Sequence, residues 1–358
     1  MSKIFSGIIN IYKEKGYTSH DVVAIVRKLL GKVKTGHTGT LDPQAEGVLP
    51  ICVGRATKLA GFLTAANKSY RAELILGMTT DTYDNTGEVL TTAPVNFDMP
   101  AIEKAVNSFK GGYMQTPPMY SAIRIEGKKL YELARAGKTV ERKPRPVEIP
   151  RIDIIDADPA NNRLWLDIDC SKGTYIRSLC ADIGDRLGCG GCMGDLVRTG
   201  SGAFSLETAL GLSELKQAVA EDRKDFLIPV DQALSVPGAL LKGFFKKAIN
   251  GHPIPLTQIA FEESKAITEG EYCWLYAYGI SSLDDISVRN DISSFDDIPV
   301  LNDISSLGDA SVLDDISSLD NALILDNTST LIGLYILKAG LLRPEVMMYA
   351  NNTKQQSF

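Results

Sequence analysis

Lys34-Thr-Gly-His-Thr-Gly-Thr-Leu-Asp-Pro-Gln-Ala-Glu-Gly-Val-Leu49 is a glycine-rich loop that holds one carboxylate, Asp42, and runs into an apolar strand. Gly36, Gly39 and Gly47 permit backbone angles and close approaches that a side chain forbids, so the loop can fold tightly against a ligand. Pro43 biases Asp42 away from helical angles and fixes the chain just after it, which aims the carboxylate. Asp before Pro also commonly bonds nearby turn amides, so the dipeptide alone leaves a turn residue and a nucleophile both open.

Outward from the loop, the pattern alternates strands and helices. Gly7 to Lys13 reads as a strand, and Ser19 as the cap of a helix whose apolar positions Val22, Val26 and Leu29 share a face ending at Gly31. Downstream come a buried strand over Val48 to Gly54, a helix from Arg55 to Asn67, and a strand from Lys68 to Gly77. Pro100 opens a helix, and the prolines of Gln115-Thr-Pro-Pro118 present Tyr120 from a rigid extended segment. A helix over Leu130, Leu133 and Ala134 carries Lys128, Lys129, Arg135 and Lys138 on or near it. Val147 to Ile155 and Arg163 to Cys170 read as paired strands, Gly173 to Leu187 as a helix, and Met193 to Val197 as a short strand. The fold class is α+β, with a mixed, largely antiparallel sheet and flanking helices over residues 1–232 and a small β-rich domain over 233–350.

That second domain is interrupted. From 280 to 327 the chain runs in hexads such as Ile-Ser-Ser-Leu-Asp-Asp285 and Ile-Ser-Ser-Phe-Asp-Asp297, an acidic insertion. It holds eleven Asp against one Arg, a local charge of −10; the chain total of −6 therefore leaves +4 on everything else. The remainder is mildly basic, as suits a surface facing phosphates.

With 358 residues and 44% hydrophobic content, the chain has room for two cored domains. No apolar run approaches the length of a membrane span, and Met1-Ser-Lys-Ile-Phe-Ser-Gly7 lacks a signal peptide's regions, so the expectation is a cytoplasmic protein with reduced cysteines and no membrane contact. Cys189-Gly-Gly-Cys192 has half the spacing of a zinc site with nothing to complete it, and no metal is expected.

Gly36-His-Thr-Gly-Thr-Leu-Asp-Pro43, with Ala45 and Gly47, resembles the catalytic motif of the bacterial tRNA pseudouridine synthases that modify the T-loop uridine-55. Lys68-Ser-Tyr-Arg71, Gln115-Thr-Pro-Pro-Met-Tyr-Ser-Ala122 and Ser171-Lys-Gly-Thr-Tyr-Ile-Arg177 resemble the same family in the same order. The resemblance implies the pseudouridine synthase fold, a PUA-like RNA-binding second domain, and an isomerase acting on the T-arm of tRNA as a monomer, without a protein partner. The reaction moves a base on its own ribose with no redox change, so no cofactor is expected.

The resemblance also assigns residues. Asp42 is the expected nucleophile, Arg177 the guanidinium that pairs with it, and Tyr70 the ring that stacks on uracil and accepts the C5 proton. Leu196 is the expected apolar pocket wall, and His37 the side chain that braces the stack once the target base is turned out. Tyr120, Lys13 and Lys68 complete the substrate contacts; of the family's Asp-Lys-Pro triplet, only Lys13 of Tyr12-Lys-Glu14 matches. Lys32, Lys34, Lys58, Lys68 and Arg71 flank the motifs and are expected to hold phosphates. A T-arm folding chaperone is the alternative function; a nucleotide-phosphate loop is disfavoured because the Gly-Lys-Ser/Thr ending is absent.

Overall fold

In the computed structural model, the described residues are 6–121, 123–125, 127–138, 140–242, 244–261, 267–278 and 329–348; the hexad repeat at 280–327 lies outside them. The chain divides into two compact units, Met1–Leu234 and Ser235–Phe358.

The first unit is built on an eight-stranded sheet: β1 (Gly7–Lys13), β2 (Thr35–His37), β3 (Glu46–Val53), β4 (Lys68–Leu76), β5 (Arg151–Asp158), β6 (Arg163–Cys170), β7 (Gly191–Ser201) and β8 (Phe204–Ser205). The order is β1-β3-β7-β4-β6-β5, with β2 paired to β3 and β8 to β7. Every pairing is antiparallel except β7 with β3, which run parallel at Val197–Glu46 and Arg198–Gly47. That one parallel contact is what sets Arg198 against the start of β3, directly after the Asp42 loop.

Strands buried on both faces read as continuous apolar runs, and β3, with Val48, Leu49, Ile51, Cys52 and Val53 all inaccessible to solvent, is one. Ile9, Ile11, Leu49, Leu74, Leu166 and Ile168 meet the apolar faces of the helices Ser19–Leu29, Met99–Asn107 and Ile176–Leu187 in one core.

Several boundaries differ from the sequence reading for identifiable reasons. Thr18, not Ser19, caps the first helix, because Asp21 closes a reciprocal capping box with it. Ser19 is turned inward, where its hydroxyl donates to the carbonyl of Leu41 and accepts from the Leu41 amide. The stretch expected as one helix from Arg55 is a 3-10 turn over Gly54–Leu59 followed by a short helix, Ala60–Ala65. The strand expected as Met193 to Val197 runs the full length of Gly191–Ser201 and lies centrally; irregularities between Met193 and Leu196 and between Arg198 and Gly200 break its alternation.

The second unit carries a six-stranded sheet that includes Gly238–Leu241, Tyr272–Tyr278, Ser329–Lys338 and Leu341–Met347. Trp274, Leu275, Leu334 and Tyr335 are buried within it, as expected of a β-rich, PUA-like domain.

Candidate active site

Strands β2 and β3 form a hairpin whose connecting loop carries Asp42. The loop is tied down from four sides. Leu41 is gripped by Ser19, the Ala45 amide donates to the Asp42 carbonyl, and the Pro43 carbonyl accepts from the Gly16 amide and from Lys13 Nζ. At its two ends, Arg198 donates from Nη2 to the Gly39 carbonyl (3.2 Å) and from Nε to the Val48 carbonyl (2.6 Å). Gly47 has φ +107°, and a Cβ there would stand 2.2 Å from the Arg198 carbonyl, so the close strand crossing requires glycine. Gly36, by contrast, lies in β2 with open space around it; its backbone makes no such demand.

With the loop fixed, Asp42 points its carboxylate at Arg177. Arg177 Nε lies 3.0 Å from Asp42 Oδ2; the guanidinium side chain is 8% exposed, the carboxylate 44%. The same guanidinium donates to the carbonyls of Thr82 (3.1 Å) and Tyr120 (2.8 Å), and its Nη1 is 3.6 Å from Asp84 Oδ2. A planar fork held by four acceptors on three segments has one orientation available to it. Asp84 lies in the polar stretch Thr79-Thr-Asp-Thr-Tyr-Asp-Asn-Thr-Gly87. It is itself fixed by the hydroxyls of Thr82 and Thr86.

Tyr70 lies on β4 opposite Arg198 of β7, and two residues on, Leu196 lies opposite Ala72. Leu196 is buried. Burial pushes the Tyr70 phenol up from its ordinary pKa; the Arg198 guanidinium, bonded to it, pulls the other way, and the negative charge of Asp42 adds a further small push upward. Tyr70 and Asp42 therefore share one electrostatic environment. Tyr120 reaches the site through its backbone carbonyl on Arg177, while its hydroxyl donates to Asp81 (3.3 Å). Arg198 is the residue that pattern reading missed: it is 1% exposed, and its burial rests on backbone acceptors far along the chain that no local pattern shows.

His37 sits at the end of β2, half-buried, its ring edge-on to His20 at 5.4 Å. Its Nδ1 accepts from the Gly39 amide at 3.3 Å. Burial, with smaller contributions from His20 and Arg198, pulls its pKa down, which keeps the ring neutral and the acceptor nitrogen bare.

Three cations expected to meet substrate are engaged elsewhere. Lys13 is wholly buried and its ammonium donates to the carbonyls of Glu14 (3.0 Å), Tyr17 (2.7 Å) and Pro43 (3.2 Å), so it braces the loop from beneath. Its pKa falls to about 8, chiefly through burial, with Asp42 the largest opposing influence. Lys68 is likewise buried, donating to the Thr64 and Ala66 carbonyls, each at 2.6 Å. Arg71 forks onto Asp167 at 2.9 and 3.0 Å. An ammonium satisfied by backbone inside the protein cannot also reach a phosphate outside it.

Two family models match in tandem. TruB family pseudouridylate synthase (N terminal domain) covers residues 27–176, and tRNA pseudouridylate synthase B C-terminal domain covers 177–235. The tRNA pseudouridine synthase B of Alkaliphilus oremlandii (strain OhILAs) is 52% identical over 251 residues, 70% of this chain and 83% of that protein. The protein of that name from Bacillus subtilis (strain 168) is 43% identical over 265 residues, 72% of this chain and 86% of its own. Among solved structures, a Cbf5-Nop10-Gar1 complex contains a chain that matches with a TM-score of 0.58 at 27% identity, over 76% of this chain and 75% of that one. An H/ACA RNP bound to a substrate RNA containing 2'-deoxyuridine shares the fold, with a TM-score of 0.63 at 22% identity, over 97% of this chain and 86% of its counterpart.

Proposed function

Since this chain belongs to the TruB family of pseudouridylate synthases, we propose that it converts uridine-55 in the T-arm of tRNA to pseudouridine, with Asp42 as nucleophile. Its class is plain: it is an enzyme of the tRNA pseudouridylation type, an isomerase. The site, the arm and the residue roles are the proposal. No helix among the described residues is long and apolar enough to cross a membrane; a cytoplasmic location and a monomeric state are part of the proposal.

The observation that carries the residue roles is the Arg177–Asp42 pair at 3.0 Å, with its cation buried and its carboxylate half open. A carboxylate fixed at the mouth of a site is available to an incoming base, while the guanidinium behind it holds its direction and offsets the loss of water. Asp42 attacks the ribose or the base of an everted uridine, the bond from C1' to N1 breaks, the base turns, C1' bonds to C5, and the bond to Asp42 breaks to return the free carboxylate. The proton leaving C5 is balanced by one gained at N1, so atoms and electrons close without any co-reactant. Tyr70 stacks on the uracil and is the acceptor proposed for the C5 proton; burial favours its neutral phenol, and the adjoining Arg198 partly offsets that. Leu196 walls the pocket, and His37, on the loop itself, braces the gap left in the RNA stack.

Asp42→Asn tests the assignment. Pseudouridine mapping on tRNA incubated with the native chain is expected to show one modified position, uridine-55, and none with the variant, whose tRNA affinity stays within about threefold because the loop's anchors are untouched. Product from the variant removes Asp42 from its role; product at another uridine removes the site assignment.

A further inference from the structure

At the base of the hairpin, opposite the tip that bears Asp42, the first unit carries a groove of about 760 Å³. Its partly buried lining is apolar: Leu29, Leu30, Val33 and Val219. Four exposed cations surround that lining, namely Lys32, Lys34, Arg55 and Lys58. The lining also includes Asp222 and Arg223, the latter engaged by Asp225 and Glu221. Lys32 and Lys34 make no ion pair among the described residues, in a chain whose formal charge is −6.

We infer that this groove is a second contact for the RNA strand, taking its phosphate backbone along Lys32 and Lys34 and a sugar or base face on the apolar lining. The inference rests on the pseudouridine synthase reading. Continuity with the reactive loop argues for RNA over an acidic protein. Lys34 directly precedes β2, and its carbonyl accepts from the Gly54 amide to close the hairpin base. From Lys34 to Thr38, where the loop begins, is four residues of extended chain, roughly 13 Å at ~3.3 Å per residue. A strand with one nucleotide at Asp42 passes this groove within a few phosphates. A free nucleotide is disfavoured, because the cations are spread over an open rim on two segments. Charge on Lys32 and Lys34 also does what the buried Lys13 and Lys68 and the Asp167-paired Arg71 do not: it stays exposed, with no ion pair among the described residues, and open to a polyanion.

The test compares K32E/K34E with a matched pair remote from the groove, K104E/K110E, in the full chain, by equilibrium binding of unmodified tRNA across a salt series. The groove variant is expected to weaken binding ten- to a hundredfold at about 0.1 M salt and to lower the slope of log K against log salt by about 1–2, the phosphate contacts removed. K32Q/K34Q should fall between it and the native chain. The control pair should move affinity less than threefold. Equal losses in both pairs, or an unchanged salt slope in the groove variant, overturn the inference; so does displacement of native-chain tRNA by micromolar nucleoside triphosphate, which would make the groove a small-molecule site. Failure of the native chain to form any pseudouridine falls on the enzymatic reading instead, because binding is read without turnover.

Discussion

Replacing Arg177 with lysine keeps a positive charge at the site and removes the fork, so it separates charge from geometry. The guanidinium makes a 3.0 Å contact with Asp42 and donates to Thr82 and Tyr120 at 3.1 and 2.8 Å. An ammonium sits closer to the backbone and offers its protons from one atom, so it can serve at most two of these three directions. If it stays with Asp42, one or both carbonyls lose their donor in a buried position, at about 1–3 kcal/mol each. If it stays with the carbonyls, Asp42 loses its orienting partner, and a misplacement near 1 Å costs about 10²-fold in rate. The expected outcome is a kcat lower by about 10² or more, a KM for tRNA changed less than threefold, and unfolding stability lower by about 1–6 kcal/mol. Single-turnover pseudouridine formation at saturating tRNA, with denaturant unfolding on the same preparation, measures both. A lysine variant within threefold of native rate would refute the argument, since it would mean that a positive charge suffices and the fixed direction of Asp42 contributes nothing.

Two further expectations follow from other parts of the first unit. Gly47→Ala forces a side chain into a φ of +107° with its Cβ 2.2 Å from the Arg198 carbonyl, so the β3–β7 crossing must open. Strain of about 1–3 kcal/mol plus the displaced backbone should lower the melting temperature by several degrees and the activity with it; an alanine variant as stable as native would show that the crossing is slack. Asp182, on the helix that carries Arg177, has its pKa pushed up to about 6, by burial first and then by Asp185, with the Tyr113 hydroxyl opposing. Because the folded form holds this proton at pH values where the unfolded chain has lost it, Asp182 makes stability fall as pH rises from about 4 to 6. Asp182→Asn should flatten that part of the stability profile, and parallel curves for the two proteins would contradict it.

How far the sequence could be read depended on whether a residue's role lay in its neighbours along the chain or across it. Asp42 was visible because proline and glycines frame it locally, and its partner Arg177 because a second motif carries it. Lys13 was read as a substrate contact, and Lys68 and Arg71 as phosphate contacts, because a lysine or arginine beside a motif has the same appearance whether its charge is free or already engaged. Only the fold shows that backbone carbonyls or Asp167 already claim them. Ser19 was assigned a cap for the same reason: the neighbouring Thr18 takes that position and frees Ser19 to grip Leu41, a contact 22 residues away. The central strand Gly191–Ser201 was shortened because two irregularities interrupt the period that sequence patterns rely on. Arg198 acts through a backbone acceptor 150 residues distant, Val48, and Asp84 through an ion pair with Arg177 far along the chain, and no local pattern records such distances.

The cations beneath the loop have a joint effect that none has alone. Lys13 draws in the Pro43 carbonyl, Arg198 those of Gly39 and Val48, and Arg177 those of Thr82 and Tyr120. Each contact turns the negative end of a peptide dipole toward the interior, where burial of the cation is itself unfavourable, as the fall of Lys13 to about 8 records. The return on that cost is a surface at which one carboxylate stands among inward-facing carbonyls and positive charge. A polyanionic strand approaching Asp42 meets a repulsion already offset by Arg177 and by the field of the buried cations, which solvent screens less than it screens surface charge. The acidic nucleophile and the anionic substrate are thereby made compatible. As pH rises through about 8 the positive charge of Lys13 is withdrawn from that field.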